Sequence, residues 1–371
     1  MKIGIPTEIK NNENRVAATP SGVHELVRRG HEVLIQRGAG IGSRIDDDAY
    51  VIAGAVILDT AADVWAQADL VLKVKEPIAA EFPLMRADQI LFTYLHLAAA
   101  PDCATALLDA GTIGIAYETV QLPNGALPLL QPMSEVAGRI SAQVGAYHLM
   151  SAAGGRGMLL GGVPGTPKAK AVVIGGGVAG EHAAANLLGM QADVTVIDLS
   201  IPRLRELDIR FGGAVQTRVS SAYEIAAQLR DADLVIGSVL IPGAQAPKLV
   251  TDEMIASMKP GSVLVDIAID QGGCFEGSHA TTHDDPTFRV HDSVFYCVAN
   301  MPGAVPETST RALTNATLPY VIALADKGWK RALAEDPALA KGLNTFEGHV
   351  TNAGVAAGLG LPLHTVASAI A

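Results

Sequence analysis

Residues 171–180 read Ala-Val-Val-Ile-Gly-Gly-Gly-Val-Ala-Gly, an apolar run followed by the spacing Gly175-x-Gly177-x-x-Gly180. A helix-like stretch comes next, and a second apolar run ends at Asp198. This order is typical of the βαβ unit that binds dinucleotides. The first glycine permits a tight turn, the second lets the backbone approach a pyrophosphate, and the third lets the helix pack on the strand. The helix N-terminus offers N–H groups to the phosphates. The segment therefore predicts a dinucleotide site.

The acid at the end of the second strand indicates which dinucleotide is bound. Asp198 lies 23 residues after Gly175, where a carboxylate can accept a hydrogen bond from the ribose 2′-OH. The same charge repels a 2′-phosphate, so we expect NAD rather than NADP. Three glycines alone would also fit a flexible loop. The strand before them and the helix and acid after them favour the NAD site.

Length and composition indicate the class of protein. The length of 371 residues predicts two domains. Hydrophobic residues make up 49% and aromatic residues only 4%, as in parallel sheets covered by helices. The net charge of −11 argues against nucleic acid or an anionic membrane as partner. Glycine, proline or a charged residue interrupts every apolar run before it reaches the length of a membrane-spanning helix. Residues 1–8 lack the apolar core of a signal peptide. We expect a cytoplasmic protein.

The chain contains three cysteines, Cys103, Cys274 and Cys297, and none of them has CxxC spacing. Their number and spacing predict neither a disulfide framework nor a zinc site. We expect buried thiols and no bound metal.

Apolar runs and helical stretches alternate twice along the chain. Six strands are predicted in the first block, at 2–6, 32–36, 55–58, 70–75, 89–96 and 112–119. Six more are predicted in the second block, at 171–174, 194–198, 215–218, 234–239, 263–268 and 294–298. The predicted fold is α/β with two doubly wound domains. A six-stranded Rossmann NAD domain, residues 129–306, is inserted into a flavodoxin-like catalytic domain formed by residues 1–128 and 307–371. Long helices are predicted at 134–150 and 308–326, and the tail after them should pack on the first domain.

Four ionisable residues follow predicted strands, at the sheet edge where ligands of open α/β sheets bind. Lys75 and His96 close two strands of the first block, and Arg15 lies in the polar loop after its first strand. Asp270 follows the apolar run 263–269 of the second block. Each has a structural alternative: a solvated Lys–Glu pair, a structural histidine, a surface arginine and an acid that caps a turn. Together they favour a catalytic site.

Seven motifs, spread almost from end to end, resemble the alanine dehydrogenase and pyridine-nucleotide transhydrogenase family. They are residues 4–8, 12–20, 73–77, 94–98, 132–139, 265–273 and 298–302. One departure is Gln191, where the family more often has glycine; it lies beyond the glycine loop. Within the family, the dehydrogenase is the closer fit, because Tyr94-Leu95-His96-Leu97-Ala98 retains the expected histidine. The membrane helices that follow the soluble part of many transhydrogenase chains do not appear here.

The resemblance implies reversible, NAD-dependent oxidative deamination of L-alanine to pyruvate and ammonium. It assigns acid–base catalysis to His96 and gives Asp270 the task of orienting water and stabilising the cationic imine. Lys75 would bind the pyruvate carbonyl oxygen, and Arg15 would bind the substrate carboxylate through its planar fork. How His96 and Asp270 divide the proton transfers stays open, because each would set the other's pKa.

The resemblance also implies a set of cofactor contacts and a homohexamer. Besides the three glycines and Asp198, the expected NAD-contacting residues are Ser134, Arg203, Ser220, Val239, Leu240, Ile267, Ala268, Ile269, Asp270, Val298, Ala299, Asn300 and Met301. The serines could instead be helix caps or turn residues, and Val239 could be a core valine. Two other functions stay open. One is a transhydrogenase subunit that passes hydride to a partner protein, and the other is an NAD sensor without catalysis.

Overall fold

Two sheets of mainly parallel strands organise the chain, which we describe from a computed structural model of residues 1–239 and 246–370. These residues form two units, which we call unit 1 (Met1–Met133 and Val305–Ala371) and unit 2 (Ser134–Ala304). In chain order the strands are β1 (Lys2–Ile5), β2 (Glu32–Gln36), β3 (Val56–Leu58), β4 (Leu70–Leu72), β5 (Ile90–Thr93), β6 (Ile113–Ala116), β7 (Lys170–Ile174), β8 (Asp193–Asp198), β9 (Gln216–Val219), β10 (Leu234–Gly237), β11 (Val263–Asp266), β12 (Thr287–Val290), β13 (Ser293–Tyr296), β14 (Leu343–Phe346) and β15 (His349–Val350).

The helices begin mostly at polar caps or prolines. They are α1 (Pro20–Arg28), α2 (Asp47–Ile52), α3 (Ala61–Gln67), α4 (Pro101–Ala110), α5 (Gln131–His148), α6 (Val178–Gly189), α7 (Ile201–Phe211), α8 (Ala222–Leu229), α9 (Asp252–Ala256), α10 (Pro306–Lys327), α11 (Trp329–Glu335), α12 (Pro337–Ala340), α13 (Ala353–Leu359) and α14 (Val366–Ile370). The hydroxyl of Thr19 accepts the N–H of Gly22 at the start of α1, and Ser200 does the same for Arg203 in α7. None of the helices in the described part of the chain is long and apolar enough to cross a membrane.

Unit 1 contains an eight-stranded sheet in the order β15-β14-β6-β5-β4-β1-β2-β3. Strands β1 to β6 are parallel and, counted from β3, follow the Rossmann order 3-2-1-4-5-6. This corrects the expected flavodoxin-like order, 2-1-3-4-5. The reason is β3, which pairs with β2 (Leu34 opposite Val56) and extends the edge of the sheet. The chain after α10 adds two further strands, and β14 pairs antiparallel with β6.

Unit 2 contains a seven-stranded sheet in the order β12-β13-β11-β10-β7-β8-β9. Counted from β9, its parallel strands follow the Rossmann order, so the six strands predicted for this block are confirmed. The seventh strand, β12, pairs antiparallel with β13 at the edge and was not predicted. Helices cover both sheets over apolar cores. The buried core of unit 1 includes Trp65, Val71, Leu91 and Leu107, and that of unit 2 includes Val172, Val235, Leu264 and Phe275.

Two strands of unit 1 end earlier than their apolar runs. Strand β4 ends at Leu72 rather than at residue 75, and β5 ends at Thr93 rather than at residue 96. The residues beyond them, Val74 and Leu95, are still fully buried. The apolar pattern therefore predicts which residues are buried, but it continues beyond the residues that pair within the sheet. The predicted site residues lie in the irregular segments after the paired residues.

Candidate active site

The glycine loop of unit 2 has the close contacts that its spacing predicts. Gly175 follows β7 with φ +102°, a conformation that favours glycine, and its N–H donates to the Ile197 carbonyl at 2.8 Å. A Cβ on Gly180 would lie 1.8 Å from the Gly175 carbonyl oxygen, so helix and strand are packed too closely for any side chain. A Cβ on Gly177 would meet no atom within 4 Å. Gly177 thus borders open space at the uncapped start of α6, which fits a bound pyrophosphate.

Asp198 is the last residue of β8, and backbone N–H groups orient its carboxylate. Oδ2 accepts the N–H of Gly176 at 2.7 Å, and Oδ1 accepts the N–H of Ser200 at 2.7 Å. The Ser220 N–H donates to the Asp198 carbonyl oxygen at 2.9 Å. These contacts place a fixed negative charge directly beside the glycine loop. The residues present therefore fit the adenosine ribose of a dinucleotide.

Arg203, an expected cofactor contact, supports the glycine loop. Its Nε donates to the Gly176 carbonyl oxygen at 2.6 Å, and its guanidinium also pairs with Glu181 and Glu206. Sequence reasoning missed Glu181, a buried acid in the first turn of α6 that also pairs with Arg210 at 2.7 Å. It also missed Ser238, whose hydroxyl donates to the Gly175 carbonyl oxygen at 2.9 Å.

Asp270 lies exposed in a 3-10 turn, Ile267–Gln271, directly after β11. The buried carboxylate of Asp266 holds this turn: it accepts N–H groups from Ala268 at 3.2 Å and Cys274 at 2.8 Å, and the Ser278 hydroxyl at 2.8 Å. Burial raises the pKa of Asp266, although the hydrogen bonds from Ser278 and Cys274 oppose the shift. Asp266 therefore positions the segment that presents Asp270, a role that its neighbours in the sequence do not reveal.

The other expected cofactor residues of unit 2 follow strand ends or lie in α5. Ser134 opens unit 2 within α5, and Val239 follows β10, where its carbonyl oxygen accepts the Cys274 thiol at 3.7 Å. Ala268 and Ile269 are buried in the turn that carries Ile267 and Asp270, and Val298, Ala299 and buried Met301 follow β13 around Asn300. Asn300 adopts φ +63°. Leu240 lies outside the described residues.

In unit 1, Lys75 and His96 follow neighbouring parallel strands, so their segments meet at one edge of the sheet. The Tyr94 N–H donates to the Val74 carbonyl oxygen at 3.3 Å, and the Thr93 hydroxyl donates to the Lys75 carbonyl oxygen at 3.1 Å. Strand β4 ends where Lys73 turns inward. Its amine, 1% exposed, pairs with Glu8 at 3.0 Å and Glu81 at 2.8 Å. This buried cluster anchors the segment that carries Lys75.

Arg15 is buried rather than at the surface, with 2% of its side chain exposed. Its Nε donates to Oε1 of Glu13 at 2.7 Å, and Nη2 donates to Oε2 at 2.5 Å, so the two groups form a bidentate pair. Nη1 lies 3.0 Å from the Met133 sulfur. The surface alternative for Arg15 is therefore wrong. The planar fork inferred for substrate binding already holds a carboxylate of the chain itself.

The three cysteines are buried and free, as expected. Burial raises the pKa of the thiols of Cys103, Cys274 and Cys297 to about 12 each. They are therefore neutral core residues.

A parallel Rossmann sheet with a tight glycine loop, an oriented acid at the end of the second strand and an uncapped helix defines a dinucleotide-binding α/β protein. The chain matches the family described as "Alanine dehydrogenase/PNT", with the N-terminal domain at residues 4–137 and the C-terminal domain at residues 141–353. The chain belongs to this family, which implies a pyridine nucleotide as its cofactor.

Individual relatives agree with this membership. The alanine dehydrogenase of Mycobacterium tuberculosis (strain ATCC 25618 / H37Rv) is 64% identical over 371 residues, 100% of both chains. A solved L-alanine dehydrogenase structure has a TM-score of 0.94 and 50% identity, covering 97% of this chain and 99% of its own. A transhydrogenase from Sinorhizobium meliloti has a TM-score of 0.82 and 28% identity, covering 95% of this chain and 100% of its own.

Proposed function

We propose that this chain catalyses the reversible oxidative deamination of L-alanine to pyruvate and ammonium with NAD. The observation that carries the proposal is full-length identity of 64% to a protein named alanine dehydrogenase. The site residues give independent support, since a basic residue, an imidazole and a buried guanidinium follow strands of one sheet in unit 1.

The choice of NAD over NADP rests on Asp198. Both of its oxygens accept backbone N–H groups, so the carboxylate cannot turn away from the adenosine ribose. A carboxylate oxygen can accept more than one hydrogen bond, and Asp198 can therefore still receive a ribose hydroxyl. A 2′-phosphate at the same place would meet a fixed negative charge.

Substrate binding is assigned to Arg15 and Lys75. When bound, the nicotinamide would supply the hydride acceptor for this chemistry, and the residues of the chain must hold the substrate in one orientation. Glu13 fixes the plane of the Arg15 guanidinium through Nε and Nη2, and we assign the hydrogen bond to the substrate carboxylate to Nη1. Lys75 donates a hydrogen bond to the carbonyl oxygen of pyruvate and polarises it for attack by ammonia in the reverse direction.

Proton transfer is assigned to His96 and Asp270. Water attacks the carbon of the cationic imine and loses one proton; the carbinolamine then releases ammonia as its nitrogen gains a proton and its hydroxyl loses one. An imidazole performs both steps near neutral pH. The His96 side chain is 39% exposed, which leaves it accessible to substrate. Asp270, exposed in its turn, orients the water and stabilises the cationic imine.

The test is a spectrophotometric assay of NADH formation from L-alanine and NAD, and of NADH consumption with pyruvate and ammonium. We expect turnover in both directions. His96→Ala and Asp270→Asn should each lower kcat by about 10²–10⁴-fold without loss of NADH binding. Wild-type protein without activity in either direction would contradict the proposal. The transhydrogenase alternative, which the comparisons support less than the dehydrogenase, predicts that outcome together with retained NADH binding.

We also propose that the protein works in the cytoplasm as a homohexamer. The family resemblance supports the assembly, and the net charge of −11 disfavours nucleic acid and anionic membranes as partners. Light scattering coupled to size-exclusion chromatography should give a particle of six chains, and a monomer would contradict the proposed assembly.

A further inference from the structure

The backbone of His96 adopts a conformation that L-residues rarely occupy. Its φ is +47°, in the left-handed region, and the residue lies three positions after the end of β5. Such a conformation persists only where the surrounding structure holds it, and held conformations of this kind cluster at functional sites. The direction of the imidazole therefore depends on what fixes the peptide of His96.

Glu118 is the group that holds this peptide. It lies in the turn after β6, the strand beside β5 in the sheet. Its Oε1 accepts the N–H of His96 at 2.7 Å, and its two oxygens lie 3.3 and 3.2 Å from the N–H of Leu95. The same Oε1 is 3.9 Å from Nδ1 of the imidazole. One largely buried carboxylate, 13% exposed, therefore contacts two successive peptides and faces the ring.

An aromatic ring also lies beside the imidazole. Tyr94 stacks on His96 with ring centroids 5.8 Å apart and planes 8° apart, and its hydroxyl donates to the Leu129 carbonyl oxygen at 2.6 Å. Helices α4 and α13 also pack against the turn Leu97–Ala99, which directly follows His96, and α13 carries no ionisable residue. The ionisable groups on these neighbours are Tyr94, Asp102, Cys103 and Asp109. Within the described residues of unit 1, only Glu118 brings a carboxylate within 4.0 Å of the imidazole.

We propose that Glu118 is the positioning residue of His96: its carboxylate fixes the left-handed peptide and supplies the negative charge that the imidazole faces. The inference rests on the proposed function, in which His96 transfers protons. Glu118 touches neither substrate nor cofactor in this role and acts through His96. Its loss should therefore lower kcat while leaving cofactor affinity and the KM for L-alanine unchanged.

Three variants separate the two contributions. Glu118→Ala removes both the acceptor and the charge, and misplacing His96 should lower kcat by about 10–100-fold. Glu118→Gln keeps one acceptor oxygen but removes the charge. Because the amide oxygen replaces only part of this hold, kcat should fall less than in Glu118→Ala, and the KM for L-alanine should stay unchanged in both variants. Glu118→Asp keeps the charge and both acceptor oxygens, so its kcat should lie closest to that of the wild type.

Glu347→Gln is the matched control, since Glu347 is an exposed glutamate of the same unit. It removes the same charge and should leave kcat, the KM for L-alanine and the NADH dissociation constant unchanged. If Glu118→Ala fails to fold, the kcat of Glu118→Gln decides. A folded Glu118→Gln protein with the wild-type kcat in both directions would overturn the inference and leave the proposed function intact. Lack of wild-type activity would instead contradict the proposed function itself.

Discussion

Replacing Gly180 by alanine should weaken cofactor binding strongly, through a clash between helix α6 and the glycine loop that follows strand β7. The added Cβ would lie 1.8 Å from the Gly175 carbonyl oxygen, 2.9 Å from its carbonyl carbon and 2.8 Å from the Ser238 hydroxyl. Ordinary contact begins at 3.4 Å, so the helix and the loop must separate by about 1.6 Å. Two of the three opposing atoms belong to the backbone, and no rotamer change relieves the clash.

The expected magnitudes follow from that displacement. Forcing an extra methyl into a closely packed site costs about 1–3 kcal/mol of stability. A loop displaced by more than 1 Å no longer presents its N–H groups to the pyrophosphate, and misplacement on this scale costs about 10²-fold. Titration of NADH fluorescence should therefore show a dissociation constant at least about 100-fold above that of the wild type. A thermal unfolding curve recorded alongside reports whether the variant folds.

Gly189→Ala provides the matched comparison, because Gly189 ends the same helix and an added Cβ there meets no atom within 4 Å. This variant should bind NADH as the wild type does and gain up to about 1 kcal/mol of stability. A folded Gly180→Ala protein that binds NADH within threefold of Gly189→Ala would refute the reasoning, since helix and strand would then not need their close approach.

Three further changes test other parts of the molecule. Asp198→Asn keeps an acceptor for the loop but loses the charge, so the ratio of kcat/KM for NAD over NADP should fall about tenfold or more; an unchanged ratio would show that the charge does not select the cofactor. Arg15→Lys retains a cation beside Glu13 but loses the planar fork, so KM for pyruvate should rise about tenfold or more while NADH affinity stays constant; a parallel loss of NADH affinity would mark Arg15 as structural. Burial lowers the pKa of His148 from its ordinary 6.5, so its contribution to stability is present above pH 6.5 and is lost as the pH falls through the lower folded value. The thermal midpoint of the wild type should therefore fall as the pH is lowered from 7 to 5. The fall should be smaller in His148→Phe and as large as in the wild type in His24→Gln, which changes an exposed histidine. Equal falls in the two variants would contradict this assignment.

The Rossmann sheet of unit 2 could be predicted in detail because its signals are local. A run of apolar residues, a glycine turn and a helical stretch repeat at short range, and each of the six predicted strands is present. The strands that were missed lack this signal. Strand β12 (Thr287–Val290) is an edge strand with partly exposed side chains, and β14 (Leu343–Phe346) contains Asn344 and Thr345. Such strands are specified by the neighbour that they pair with, and no pattern within four residues reveals that neighbour.

The strand order of unit 1 was not predictable for the same reason. A sequence shows where β3 is, but not whether the chain after β2 extends the sheet edge or crosses back to the far side of β1. The short pairing of residues Leu34 to Gln36 with Val56 to Leu58 decides between the two orders. That pairing depends on tertiary packing of α2 and α3 against the first three strands.

The predicted site residues of unit 1 illustrate what sequence reasoning sees and what it omits. It selects cations and an imidazole at strand ends, because their chemistry suits a small carboxylate substrate. It omits the acids that hold this edge of the sheet: Glu13 beside Arg15, Glu118 beside His96, and Glu8 and Glu81 around Lys73. A buried cation is unstable without a paired anion, so each buried basic group at this edge requires a carboxylate from another part of the chain. Three of these acids follow strands β1 and β6: Glu8 and Glu13 come after β1, and Glu118 comes after β6. The sheet brings them to the same edge as the cations. Part of the acidic excess of the chain is therefore placed inside this site, where it orients the groups that the proposed reaction uses.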